Sequence, residues 1–346
     1  MVCFIMYKKL FHLVLLTLIG LSLRAHAGVI LQYHHVSETL PAVTSVSEET
    51  FTEHLNYLKN SDFNVIALNE LLDALKQGHT LPDKTVAITF DDGYNNNYDQ
   101  AAPILEKFGY PYTIFVNPKL IEEGKRYVMG WDKLKELSKK GALISNHTAQ
   151  HDYLHVKLDG ETNTQWKKRI TQDIVHSQQR IKEEIGHNYK YLAYPYGEFD
   201  NELQALVTEL GYIGIGQHSG ALNKHANFSR LPRFPASGVY SDIKTLATKL
   251  NSQAFNITQL SYENSVTTQN PPALTIGFKV DDFNKSLLAC YVSGIGKANL
   301  NWVTDNTVEV TSPKKLNKGR SRFNCTAPSI KKPNSYYWFS QPWVIQ

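Results

Sequence analysis

Two adjacent carboxylates, Asp91 and Asp92, stand between the apolar run Val86-Ala87-Ile88 and Gly93. The run reads as a buried strand, and the glycine permits a sharp turn after it. Strand C-terminal ends are where α/β proteins gather their chemistry. Adjacent carboxylates repel, so a buried pair needs a cation, a shared proton or strong hydrogen bonds. Two further strand ends carry polar groups. His147-Thr148-Ala149-Gln150-His151 follows Ala142-Leu143-Ile144-Ser145. Its histidines, at i and i+4, would face one ion if the stretch were helical. Tyr194-Pro195-Tyr196-Gly197 follows Tyr191-Leu192-Ala193, and its turn can present a backbone N–H. Two histidines and one carboxylate, with coordination positions left open, form a hydrolytic metal site. The second carboxylate is then free to accept a proton. Singly, each piece also has an ordinary reading: an Asp-Gly turn, a surface histidine pair, a Pro-Gly-type turn.

The elements that must position these groups alternate. Strands are expected at Gly28–Tyr33, ending at His34-His35, and at Asn64–Leu68, Val86–Ile88, Thr113–Val116, Ala142–Ser145, Tyr191–Ala193 and Ile213–Gly216. Between them, helical periods run through Phe51, Leu55 and Leu58, through Leu71, Leu72 and Leu75, and through Ala101, Ile104, Leu105 and Phe108. Others run through Leu134 and Leu137, through Ile170, Ile174, Ile181 and Ile185, and over Leu203 to Leu210. Such alternation means parallel βα units. At least six repeat, which favours an α/β fold with an incomplete (β/α) barrel. Around Asn256–Pro272 polar residues cluster and a linker or domain edge is expected. Beyond it come short β-type runs with no helical period, read as a small C-terminal β-sandwich. The expected division is 1–27 signal peptide, 28–265 barrel and 270–346 β-domain.

Lys8-Lys9, the apolar Leu10–Leu23 and the small-x-small Ala25-His26-Ala27 form a secretory signal. Export to the periplasm or beyond, with cleavage near Ala27, is the expectation. Without residues 1–27 the chain carries 33 basic and 32 acidic residues, which gives no nucleic-acid-binding field. The two remaining cysteines, Cys290 and Cys325, read as a disulfide in an exported chain. Residues 270–346 carry 10 basic and 4 acidic residues, against 23 and 28 in 28–269.

In combination the motifs resemble the polysaccharide deacetylases with a NodB-homology domain, carbohydrate esterase family four. Thr89-Phe90-Asp91-Asp92-Gly93 resembles the family's Asp-Asp motif, His147 and His151 its His-x-x-x-His motif, and Pro195-Tyr196-Gly197 the core of its Arg-x-Pro-Tyr motif. The order and separation of the three make the likeness specific over roughly Gly28 to Ser241. It implies a divalent metal, with Zn first and Co or Ni as alternatives, and N-deacetylation of amino sugars. One departure stands out: Ala193 occupies the place of the motif's Arg. Together with the absence of a Leu-x-His motif after Gly216, this resembles the poly-β-1,6-N-acetylglucosamine deacetylase branch, as do Tyr33-His34 and Leu231-Pro232-Arg233.

The resemblance implies a role for each residue. Asp92, His147 and His151 hold the metal, Asp91 is the base and His34 the acid. Tyr196, Pro195 and Tyr94 serve the oxyanion and substrate. Arg233 is the candidate to orient Asp91, the alternative being a structural ion pair. His35 points away from His34 on a strand, and His218 is a weaker pocket candidate. Tyr98, Trp131, Tyr153 and Tyr194 are further candidates for sugar stacking, as are Trp302, Trp338 and Trp343 beyond the barrel. The expected partner is an N-acetylated polysaccharide (poly-N-acetylglucosamine, chitin-like or peptidoglycan glycan), bound by a monomer. A non-catalytic sugar-binding protein and a metal-dependent peptide amidase are the rival readings. The basic β-domain is expected to aid envelope association or substrate presentation and to contribute no catalytic group.

Overall fold

The computed structural model describes residues 27–279 and 282–346; the expected signal segment, Ala27 apart, lies outside them. Eight parallel strands form one curved sheet, seven of them in a continuous row and the short Asn64–Val65 beside Thr85–Phe90. In spatial order the seven are Phe234–Pro235, Gly28–Tyr33, Thr85–Phe90, Tyr112–Val116, Leu143–Asn146, Tyr191–Ala193 and Ile213–Ile215. Each is buried along most of its length, because helices cover the outer face and the strands can be continuously apolar.

The helices begin and end where local chemistry satisfies their free backbone groups. Ser47 accepts from Thr50 N at the start of Glu48–Asn60. Thr162 and Gln165 form a capping box that opens Asn163–Ile185, and left-handed Gly186 closes it. Asn64–Leu68 does not run on as a strand. Only Asn64–Val65 pairs, beside Thr85 and Val86. Leu68 instead joins Leu71, Leu72 and Leu75 on the buried face of the Leu68–Lys76 helix.

The sheet does not end at Ile213–Ile215 as the βα pattern implies. An irregular segment crosses the remaining gap. Leu231 bridges Ile215 on one side, and Phe234 then pairs with Leu31 on the other. The barrel is therefore incomplete in regular strands but spanned at the opening. Arg233 lies between those two attachments, inside the ring, with 0% exposure.

Beyond the barrel, two mainly antiparallel sheets enclose a second core containing Leu274, Ile276, Phe278, Val308, Val310, Phe323 and Trp343. A Cys290–Cys325 disulfide joins neighbouring antiparallel strands of one sheet at this core. The polar stretch around Asn256–Pro272 is not a free linker. Ile257–Ser261 and Val266–Thr267 are strands of the two sheets. The sandwich is seated on the barrel. Arg230 donates to Tyr262 and Gln341 at 2.7 and 2.8 Å, Asn201 donates to Glu263 O at 2.8 Å, and Trp338 meets Phe234 edge to face. Among the described residues no helix is long and apolar enough to cross a membrane.

Candidate active site

All three expected strand ends converge at one mouth of the barrel. Asp92 lies just past Thr85–Phe90, His147 just past Leu143–Asn146, and Tyr196 just past Tyr191–Ala193. The ligand atoms of Asp92, His147 and His151 lie within 4.8 Å of one another. Asp92 Oδ1 is 3.2 Å from His147 Nε2 and 3.4 Å from His151 Nε2. A tetrahedral ion with bonds of about 2.0–2.1 Å sets its ligand atoms about 3.3–3.4 Å apart.

The donor chemistry fits such an ion. His147 Nδ1 donates to Ala193 O at 2.8 Å, which fixes the tautomer and turns Nε2 into the site. That Nε2 is buried and makes no aligned hydrogen bond, although Asp92 is close. Burial and the neighbouring His147 charge push His151 down to about 4, so its imidazole is neutral and available as a ligand. Burial works against ionised Asp92, but the close approach of His147 and the charges of His34 and His151 outweigh it and bring the carboxyl to about 2.

The two histidines do not meet through a helix. The stretch is a loop, with Thr148 and His151 at φ 71° and 66°. A branched Thr resists that conformation, and local hydrogen bonds hold it there. Thr148 N donates to Asn146 Oδ1 at 2.8 Å, His151 N to Thr148 Oγ1 at 3.1 Å, and Ala149 N to Asp173 Oδ1 at 3.0 Å. Asn117 Nδ2 donates to His147 O. Of the seven non-glycine residues at positive φ among those described, four are Asp92, Thr148, His151 and Tyr196. Backbone strain is thus concentrated where the ligand set and the Tyr196 turn converge. In that turn, a Cβ on Gly197 would come within 2.5 Å of Gln217, so only glycine fits.

Asp91 sits behind Asp92 with 0% exposure. Arg233 grips both of its oxygens, at 2.7 and 2.8 Å. Burial alone would raise this carboxyl. The charges of Arg233, His147 and His34 and the Arg233 hydrogen bonds overcome it and hold Asp91 well below the usual carboxylate range. Arg233 is itself fixed by Gly216 O at 2.9 Å and Thr89 Oγ1 at 3.1 Å. The guanidinium that pairs with Asp91 therefore arrives from the segment that spans the barrel opening.

His34 Nε2 is 3.9 Å from Asp91 Oδ2 and faces the cleft, while Asn97 Nδ2 donates to its carbonyl at 2.8 Å. His35 turns the other way. Its Nδ1 accepts from Asn96 at 2.9 Å, and its ring stacks on Tyr94 at 3.8 Å. Tyr94 also lines the cleft beside Asp92; burial and the Asp92 charge raise its phenol. Tyr153 and Tyr196 stack at 4.0 Å, and Tyr196 meets His151 edge on. Pro195 is buried and shapes the turn.

Some expected residues are elsewhere. Tyr194 is fully buried with its hydroxyl on Ser229 O, so it presents no face to a sugar. His218 is buried under Phe199 and is not among the residues that line the catalytic cleft. Trp343 is core, and Trp302 and Trp338 are half-buried, the first under Lys285 and the second against Phe234.

Other residues were not anticipated. Gln32 Nε2 donates to Asp91 Oδ2 at 2.7 Å. A lone glutamine in an apolar strand, two residues before His34, was the available signal, since i and i+2 share a face. Arg320 and Arg322, from the C-terminal sandwich, line the same cleft of about 390 Å³. No local pattern marks them.

A family model described as polysaccharide deacetylase matches residues 78–215. The chain is 28% identical over 215 residues to YxkH of Bacillus subtilis (strain 168), named as a polysaccharide deacetylase, covering 60% of this chain and 71% of that one. It is 27% identical over 195 residues to a poly-beta-1,6-N-acetyl-D-glucosamine N-deacetylase of Staphylococcus aureus (strain MSSA476), covering 55% and 67%. Among solved structures, Streptococcus pyogenes deacetylase PplD in complex with acetate aligns with a TM-score of 0.58 at 22% identity, over 65% of this chain and 98% of that one. IcaB from Ammonifex degensii aligns with a TM-score of 0.56 at 22% identity, over 65% and 97%. Residues 78–215, which carry Asp91, Asp92, His147, His151 and Tyr196, thus match a polysaccharide deacetylase domain, and the structural likenesses bear on the fold alone.

Proposed function

We propose that this chain is a metal-dependent hydrolase that removes N-acetyl groups from an N-acetylglucosamine-containing polysaccharide, with poly-β-1,6-N-acetylglucosamine as the favoured substrate. The observation that carries the reading is the pairing of a three-donor set, Asp92, His147 and His151, with a separate buried carboxylate, Asp91, held by Arg233. The S. aureus relative's name supports the choice of glycan. Chitin-like and peptidoglycan glycans are the alternatives.

Asp92, His147 and His151 would hold a divalent ion, Zn first and Co or Ni next. Such an ion polarises an acetamide carbonyl and acidifies water. The protein's own residues do the rest. Asp91 accepts the proton of the attacking water. Its strongly stabilised carboxylate is always ionised near neutral pH but is a weak base, so it suits water that is already acidified. The Tyr196 backbone N–H, carried on its left-handed turn, donates to the developing oxyanion. His34, on the cleft side of the first strand end, donates a proton to the leaving amine. Tyr94, Tyr153 and Tyr196 offer faces to sugar rings. We place the domain boundary near 255, earlier than the expected 265–270, because Ile257–Ser261 and Val266–Thr267 pair within the sandwich sheets. The chain is read as a monomer that acts outside the cytoplasm after export, with the basic sandwich toward envelope polymers.

The test is acetate release from β-1,6 and β-1,4 N-acetylglucosamine oligomers, peptidoglycan and acetylated peptides, each with Zn, Co or Ni. Release from β-1,6 oligomers above the others is expected, and release only from peptides would overturn the reading. In the same assay His34→Ala should lower turnover roughly 10²–10⁴-fold, the usual worth of general acid–base catalysis. His35→Ala should lose much less turnover, because that ring faces Asn96 and Tyr94. The reverse ranking would move the acid to His35.

A further inference from the structure

The C-terminal sandwich reaches into the catalytic cleft. The Gly319–Pro328 strand places Arg320 and Arg322 on the wall that also holds His34, Asp92, His151 and Tyr196. Arg320 lies over the Tyr196 ring at 5.8 Å, and its Nε is 3.6 Å from Glu198. Glu198 is already engaged by His155 at 2.8 Å, so it offsets Arg320 only in part.

Arg322 has less compensation. It is half-buried, and among the described residues the ionisable groups whose charge bears on it are Tyr240 and Arg320. Its field reaches Lys249, which is buried behind the cleft and donates to Pro235 O at 3.0 Å. Burial and then Arg322 push that amine down to about 8. Of the cleft's own acids, Asp92 belongs to the ligand set and Asp91 is neutralised by Arg233. The wall facing a bound glycan is therefore cationic, and a sandwich strand makes it so. The same rim is lined by exposed Val43 and Tyr240, which suit the apolar faces of a neutral sugar.

We infer that Arg322, assisted by Arg320, is a specificity determinant that keeps a protonated glucosamine out of the position beside the reacting N-acetylglucosamine. This rests on the deacetylase reading above. Each turnover converts a neutral acetamide into an amine that becomes cationic, with acetate leaving as the other product. A freshly made ammonium one sugar away then faces the two guanidiniums. An ammonium about 7 Å from one guanidinium, at an effective dielectric of about 20–40, is disfavoured roughly 8- to 50-fold. The enzyme accordingly releases product after one event and modifies glycan at spaced positions instead of in runs.

The experiment uses the full-length enzyme and defined trimers whose central sugar is N-acetylated. The flanking sugars are either both N-acetylated or carry one free amine. The readout is the ratio of kcat/KM for the two trimers. The wild type should favour the fully acetylated trimer at least tenfold, and Arg320→Gln/Arg322→Gln should bring the ratio near one. Arg322→Lys, which keeps the charge, should retain most of it. Raising the salt should shrink the wild-type ratio, an arm that needs no variant. Activity on the fully acetylated trimer with an equal ratio in wild type and the double variant would overturn the inference alone. No acetate from that trimer with any metal would overturn the deacetylase reading beneath it.

Discussion

His147→Ala protein should bind no stoichiometric divalent metal and release no acetate, while the barrel still folds. The His147 ring is fully buried at a strand end, and its Nδ1 is anchored to Ala193 O. Its Nε2 has no aligned hydrogen bond and faces Asp92 Oδ1 at 3.2 Å. Truncation removes one of three donors and the group that most lowers the Asp92 carboxyl. Asp92 and His151 alone cannot enclose an ion. His151→Ala should give the same metal loss at a smaller structural cost, because that ring is partly exposed. Elemental analysis of dialysed protein, read beside the melting temperature, separates the outcomes. A folded His147→Ala protein with one bound ion per chain, or with turnover within tenfold of wild type, would remove His147 from the ligand set. Chelation of the wild type should mimic the substitution, and added Zn, Co or Ni should reverse it.

What the sequence revealed and what it hid divide along range. Asp91-Asp92, His147/His151 and Tyr196 were visible because each lies at the end of an apolar strand, and βα alternation brings such ends to one face. The separation of His34 from His35 was visible from strand periodicity alone. The conformation that joins His147 to His151 was not. Spacing at i and i+4 is compatible with a helix, and only the hydrogen bonds to Asn146, Thr148 and Asp173 make the left-handed loop preferable.

The segment across the barrel opening was hidden for a related reason. Phe234–Pro235 is a two-residue strand with no period of its own, and its place is set by attachment to Leu31. Arg320 and Arg322 were least legible. They enter the cleft through the docking of a second core onto the first, built from contacts such as Arg230 with Gln341, 111 residues apart. The expectation that the sandwich stands apart from the chemistry followed from motif positions. Docking puts part of that sandwich on the cleft wall.

The Asp91–Arg233 pair yields the other large expected effect, because it carries structure and chemistry at once. Asp91→Asn should lower kcat roughly 10²–10⁴-fold, the worth of a general base, and leave one bound ion per chain, since Asp91 is not in the ligand set. It should also destabilise the fold. Arg233 has 0% exposure, and both Asp91 oxygens are its acceptors. Removing one member of a buried pair typically costs about 3–5 kcal/mol, because the other charge is left uncompensated. Arg233→Met should lose similar stability and turnover by stranding the Asp91 carboxylate. The double variant Asp91→Asn/Arg233→Met distinguishes the two roles. With neither charge buried it should recover most of the lost stability, a coupling that chemical denaturation measures directly. Its turnover should remain as low as that of Asp91→Asn, because no base is restored. Recovery of turnover along with stability would mean that Asp91 serves the fold and that the proton goes elsewhere.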